Sequence, residues 1–87
     1  MTPLRTALAA ILPGLPLRGV ARVVPCPPFY GRSVARVALR FDAGAPEGAQ
    51  RDAVGRVVEE LRAALPAGVE ADGVEGEWRF VRVVGAA

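Results

Sequence analysis

Residues 34–65 read VARVALRFDAGAPEGAQRDAVGRVVEELRAAL, and two periodicities follow one another in this stretch. From Val34 to Asp42 the side chains alternate, which predicts a strand with one apolar face and one face that carries two arginines. Gly44-Ala45-Pro46 then breaks the chain, and apolar residues recur at helical spacing from about Glu47 to Leu65. The centre of the predicted fold is therefore a strand followed by a long amphipathic helix.

This long helix has an apolar stripe and a charged outer face. The stripe is expected to be buried and consists of Ala53, Val54, Val57, Val58, Leu61 and Leu65. The residues expected to face water are Arg51, Asp52, Arg56, Glu59, Glu60 and Arg62.

The segments before this stretch predict a shorter helix and another strand. Thr2-Pro3 is a helix start, because the Thr hydroxyl can cap free amides and proline fits the first turn. Leu4 to Leu12 has apolar residues at helical spacing. Residues 17–25 predict a strand that the following prolines end.

The segments after the long helix predict a hairpin. Val69 to Ala71 begins a short strand, and about Glu77 to Val84 forms the closing strand. Asp72-Gly73 is the predicted turn, because both central positions of a type I′ turn need positive φ. The order α-β-β-α-β-β predicts one compact α+β domain over residues 1–87, a two-layer sandwich with two helices on one face of a small antiparallel sheet.

The composition argues against catalysis. Histidine, lysine and asparagine are absent, and Cys26 and Ser33 are single. Acid–base chemistry near neutrality usually uses His, and activated nucleophiles are a Ser or Cys beside a base. We therefore expect a non-enzyme without a cofactor. The remaining enzyme hypothesis has a site completed by a partner, with Asp42 or a hairpin acid as base and Cys26 as nucleophile.

Charge and cysteine content limit the class of protein further. Residues 1–43 contain six Arg and one acid, whereas residues 44–87 contain five Arg and eight acids. This asymmetry either steers association or is neutralised within the fold. A lone cysteine and the lack of an apolar run of about 18–20 residues favour a cytoplasmic protein without a membrane span. The Arg-only cations are typical of a GC-rich bacterial genome.

One face of the predicted sheet should carry guanidinium groups, from Arg22, Arg36, Arg40 and either Arg79 or Arg82, depending on register. With aromatic rings on a neighbouring loop, such a face could hold phosphates and stack bases of single-stranded RNA or DNA. The sequence predicts no aromatic pair on the central strands, and acids fill the second half. A solvated or dimer-paired arginine face is therefore favoured.

Two further motifs have alternative interpretations. Pro25 to Tyr30, PCPPFY, resembles a haem-thiolate Cys-Pro pair and a Pro-Pro-x-Tyr ligand, but no His supplies a second axial ligand, and a rigid turn is favoured. The acids of the hairpin could collect a hard cation, but their spacing is not that of an EF-hand, and a solvated acidic turn is favoured. They are Glu70, Asp72, Glu75 and Glu77.

From Val37 to Val74 the chain has a strand, a long Val-rich helix and the turn LPAGV at residues 65–69. This stretch resembles alkaline-shock-type envelope-stress proteins, and the element order also resembles type II KH-like and BON domains. The resemblance implies a binding or assembly role. We expect a protein-binding module, self-associating through its sheet face or closing strand. The expected anchors are aromatic, because desolvated aromatics carry much interface energy: Phe29, Tyr30, Trp78 and Phe80.

Overall fold

A computed structural model of the protein describes residues 4–15, 20–24, 34–65 and 67–85. The elements are α1 (Leu4–Ile11), a short 3-10 turn (Leu12–Gly14), β1 (Val20–Val24), β2 (Val34–Arg40), α2 (Glu47–Ala64), β3 (Ala67–Glu75) and β4 (Trp78–Gly85). The predicted α+β class and the predicted order α-β-β-α-β-β are confirmed. Across these ranges no helix is both long and apolar enough to cross a membrane. The predicted Thr2-Pro3 start lies outside the described residues.

The four strands form one antiparallel sheet in the order β1-β2-β4-β3. β4 therefore lies inside the sheet, paired with β2 on one side and with β3 on the other. In the described part of the chain, β1 and β3 are the two edges. Val81 pairs with both Val37 and Ala71, so one β4 residue joins segments that are far apart along the chain.

The core lies between the two helices and one face of the sheet. Alternation along β2 and β4 directs Val37, Leu39 and Val81 to the helices, where each is almost completely buried. Leu8 of α1 and Leu61 of α2 are fully buried against them. Burying such side chains stabilises a domain by about 1.5–3 kcal/mol each, which is how these patterns select a two-layer fold.

The outer face of α2 differs from the prediction at Arg62. Its Nε and Nη2 donate hydrogen bonds of 3.0 and 2.7 Å to the carbonyl oxygen of Val69, so this side chain does not simply face water. The last turn of α2 passes beside β3, and the long arginine stem reaches a backbone carbonyl there. This bidentate contact ties the helix to an edge strand.

The predicted turn of the β3–β4 hairpin is wrong. The turn residues are Gly76 and Glu77, between paired Glu75 and Trp78, and β3 is nine residues long. Gly76 has φ +60°, while no non-glycine residue of the described ranges has positive φ, which meets the needs of a type II′ turn but not of type I′. Asp72-Gly73 instead lies at a register shift within β3, a β-bulge.

Candidate functional site

The sheet face that points away from the helices is the candidate site, and we call it the open face. Its residues alternate along each strand with the core residues. Its described members are Arg22, Val24, Val34, Arg36, Ala38, Arg40, Gly68, Glu70, Asp72, Gly73, Glu75, Trp78, Phe80, Arg82 and Val84. The surface combines arginines, acids and two large aromatics.

Two arginines lie over the two aromatic rings. The Arg22 guanidinium carbon is 4.5 Å from the centroid of Trp78, and that of Arg36 is 4.1 Å from the centroid of Phe80. Both distances fit cation–π contacts. Ala38 pairs with both Arg22 and Phe80 and is fully buried beneath this layer. Because alanine is small, Arg22 can reach across β2 to the ring on β4.

Ion pairs join three arginines of the open face to acids of the hairpin. The Arg36 Nε lies 2.8 Å from Asp72 Oδ2, with only 28% and 22% of the two side chains exposed. Arg82 pairs with Glu70. The Arg40 Nε lies 3.2 Å from Glu77 Oε2, at a more exposed position. The pairs of Arg36 and Arg40 therefore link the basic first half of the sequence to its acidic second half.

These pairs change the interpretation of the hairpin acids. The described residues contain no group of three or more His, Cys, Asp or Glu placed to hold a metal ion. Glu70, Asp72 and Glu77 each face an arginine instead. The expectation of a solvated acidic turn needs one addition: Glu70, Glu75 and Glu77 are exposed, but three of the four acids are paired with arginines of β2 and β4.

Charge is unevenly distributed across the open face. Its basic side holds Arg22 on β1 and Arg36 and Arg40 on β2. Its acidic side is the edge strand β3, with Glu70, Asp72 and Glu75. The aromatic residues and Arg82 lie between the two sides, on β4. Arginines therefore originate on one side of the face and acids on the other, and among these residues Arg22 and Glu75 have no ion-pair partner within the described ranges.

The register decides between Arg79 and Arg82. Arg82 lies on the open face, whereas Arg79 points to the helix side and its Nε donates a 2.8 Å hydrogen bond to Gln50 Oε1. Gln50 Nε2 in turn donates to the Ala45 carbonyl oxygen at 2.9 Å. Arg79 thus holds the start of α2 on the sheet and leaves the candidate surface.

The remaining predicted site residues have different outcomes. Trp78 and Phe80 lie side by side on β4, so the expectation that the central strands lack an aromatic pair is wrong. Phe29, Tyr30 and Cys26 lie outside the described residues. The role of Ala38 was not predicted from the sequence. An alanine between two arginines on one face of a strand does indicate, however, that longer side chains can lie over it.

No family model, no curated protein and no solved structure matches this chain. The resemblance to envelope-stress, KH-like and BON domains therefore stays an interpretation of element order. What defines the molecule is an α+β domain whose sheet presents an Arg–aromatic layer on its open face.

Proposed function

We propose that this protein is a non-catalytic interaction module that binds a protein partner, or another copy of itself, through its open face. The observation that carries the proposal is the arginine-covered pair Trp78 and Phe80 on a central strand. Trp and Arg are the residue types most enriched among those that dominate interface energies, and here they are already held in place.

The exposed apolar side chain of Val84 extends this surface along β4. It is 42% exposed on the open face and lies beside Val34 of β2. Self-association through the sheet face and self-association through the closing strand would thus use the same surface. The reason is that β4 is hydrogen-bonded to a strand on both sides and can offer only its outward-facing side chains. A partner that docks here would contact side chains and would not add a strand to β4.

The experiment uses two valines that the chain offers as a matched pair. Three purified proteins serve as bait for binding partners: the unmodified protein, the variant Val84→Arg and the variant Val74→Arg. The mass of each native complex that they form is then measured. Val74 is 61% exposed but pairs with Arg79, on the other side of the sheet. We expect Val84→Arg to weaken recovered complexes at least about tenfold, since a buried unpaired charge is costly.

The control variant Val74→Arg should bind like the unmodified protein. Equal binding by all three proteins would refute the open face as the interaction surface. Substrate turnover by the purified protein, abolished by one substitution that leaves the fold intact, would refute a non-catalytic role.

A second candidate function is binding of single-stranded nucleic acid. Aromatic residues flanked by arginines on a central strand are the arrangement on which bases stack in several RNA-binding sheets. Two observations weigh against it: guanidinium groups already cover both rings, and the acids of β3 offset the arginines.

An oligonucleotide titration followed by the fluorescence of Trp78, the chain's one tryptophan, tests this candidate. Nucleic-acid binding predicts an affinity that falls steeply with salt and is lost in the double variant Arg22→Ala, Arg40→Ala. An absent or salt-insensitive fluorescence change would discard it.

A further inference from the structure

The open face is complementary to itself, and we propose that two copies of this chain pair through their open faces about a twofold axis parallel to the strands. The inference rests on the proposed interaction role and names a second copy as the partner. It follows from which strands carry the arginines and which carries the acids in the order β1-β2-β4-β3.

The direction of the axis follows from charge. A twofold axis parallel to the strands reverses the strand order in the opposing sheet, so β3 lies over the partner's β1, and β4 over its β2. Glu75 of one copy then lies on the strand opposite Arg22 of the other, two residues away along the strands, whereas Asp72 is already paired with Arg36. A twofold axis across the strands would place β3 over β3 and oppose like charges, which is destabilising.

The same arrangement matches apolar groups. Val34 of β2 and Val84 of β4 are directly paired neighbours, so exchanging β2 with β4 brings Val84 of each copy over Val34 of the other. Ala38 and Phe80 are paired in the same way. The Phe80 ring, covered by Arg36, then lies over the partner position at which Ala38 is buried beneath the same layer, so the apolar group that this arrangement newly covers is the 42% exposed Val84.

The size of the face sets the expected strength. Four strands about 4.8 Å apart and about seven residues long give a face of about 20 by 24 Å, or roughly 500 Å² per copy. A pair therefore buries on the order of 1,000 Å², the lower end for a specific interface. We expect a reversible dimer that depends on concentration.

The edges of the sheet favour face pairing over lateral pairing. β3, an edge in the described part of the chain, has a bulge and three acids within nine residues, features that hinder addition of another strand. β1, the opposite edge, has only five residues. The surface with matched charge and exposed apolar area is the open face.

A charge exchange between Arg22 and Glu75 tests the geometry. Within the described ranges neither side chain has an ion-pair partner, and both are exposed. Each dimer contains the Arg22–Glu75 contact twice, so Arg22→Glu or Glu75→Arg alone replaces two attractions by two repulsions. We expect the dissociation constant of the homodimer to rise at least about tenfold in each single variant.

An equimolar mixture of the two variants is the decisive sample. In the mixed dimer one contact keeps Arg22 with Glu75 and the other has the two charges exchanged, so binding should return most of the way to the level of the unmodified protein, although the Arg22→Glu copy still lacks its own contact with Trp78. Sedimentation and native mass measurement, with a mass tag on one variant, follow the mixed species. Glu60→Arg, on the outer side of α2, is the control and should leave the dissociation constant unchanged.

Circular dichroism establishes that each variant is folded, and the salt dependence of the unmodified dimer supplies a measurement that needs no variant. Raising ionic strength shortens the Debye length to a few ångström, so the dissociation constant should rise with salt. The proposal is overturned by a strict monomer at millimolar concentration, by a salt-insensitive dimer, or by a mixture that stays dissociated. If the protein is a monomer but binds another protein, and Val84→Arg abolishes that binding, self-pairing is overturned while the proposed interaction role is supported.

Discussion

Replacing Arg36 by methionine should remove the best-held contacts of the open face while keeping its packing. The guanidinium of Arg36 lies between the Phe80 ring, at 4.1 Å, and the Asp72 carboxylate, at 2.8 Å. Methionine retains much of the aliphatic stem over the ring, so little apolar area is lost. Asp72, with 22% of its side chain exposed, loses its cation.

The expected loss of stability follows from these contacts. A half-desolvated cation–π contact contributes about 1 kcal/mol. The Asp72 pair adds about 0.5 kcal/mol, near the middle of the range for surface pairs, because the Arg36 Nε makes no directed hydrogen bond within the described residues. The loss is therefore about 1.5 kcal/mol. With an unfolding entropy of about 2 cal/mol/K per residue over 87 residues, the melting temperature should fall by about 8 °C.

Arg40→Met is the matched control. Arg40 is on the same strand and the same face, but its pair with Glu77 has side chains 57% and 44% exposed, and it is absent from the cation–π contacts of the described residues. Its loss should be at most about 0.5 kcal/mol. Urea unfolding, followed by circular dichroism and Trp78 fluorescence, measures the free energy of unfolding of both variants. The protein concentration is kept in the range where the urea midpoint does not depend on it. A loss for Arg36→Met no greater than that for Arg40→Met would refute the reasoning.

Two further predictions concern the core and the hairpin. Leu61→Ala should lower the free energy of unfolding by about 3 kcal/mol, because this side chain is fully buried. Leu65 is only partly buried at the edge of the core, so Leu65→Ala should lower it by clearly less. Equal urea midpoints for the two variants would contradict the core described above. Gly76→Ala should lower the free energy of unfolding by at least about 1 kcal/mol, measured by thermal unfolding, because Gly76 has φ +60°. Gly73→Ala should not lower it in this way, since an added Cβ would meet open space there. An unchanged stability of Gly76→Ala would contradict the turn.

The element order was predictable because each element carries its own local pattern. Val34 to Arg40 alternates, and residues 47–64 have helical spacing, so local periodicity is sufficient for both. The hairpin turn was not predictable in this way. Asp72-Gly73 and Gly76 are both turn signals, and the turn at Gly76 comes with a longer β3 that pairs along the whole of β4.

The open face was predictable only in part, for a related reason. Alternation showed that Trp78, Phe80 and Arg82 share one side of β4. It could not show which side faces the helices, because Arg79 lies among valines on the other side, and the position of α2 decides this. The pairs Arg36–Asp72 and Arg22–Trp78 each span an intervening strand, β4 in the first case and β2 in the second, so they depend on the strand order β1-β2-β4-β3.

The position of β4 has a consequence for how the chain acquires its shape during synthesis. The ribosome makes β1, β2 and β3 before β4, yet β4 is the strand that joins β2 to β3. Until Val81 and Val83 emerge, Val37 and Leu39 lack the neighbours that complete the apolar layer, and β3 has no strand to pair with in the described sheet. Formation of this sheet in the nascent protein should therefore wait for β4, and stalled chains that end before residue 78 should remain sensitive to protease.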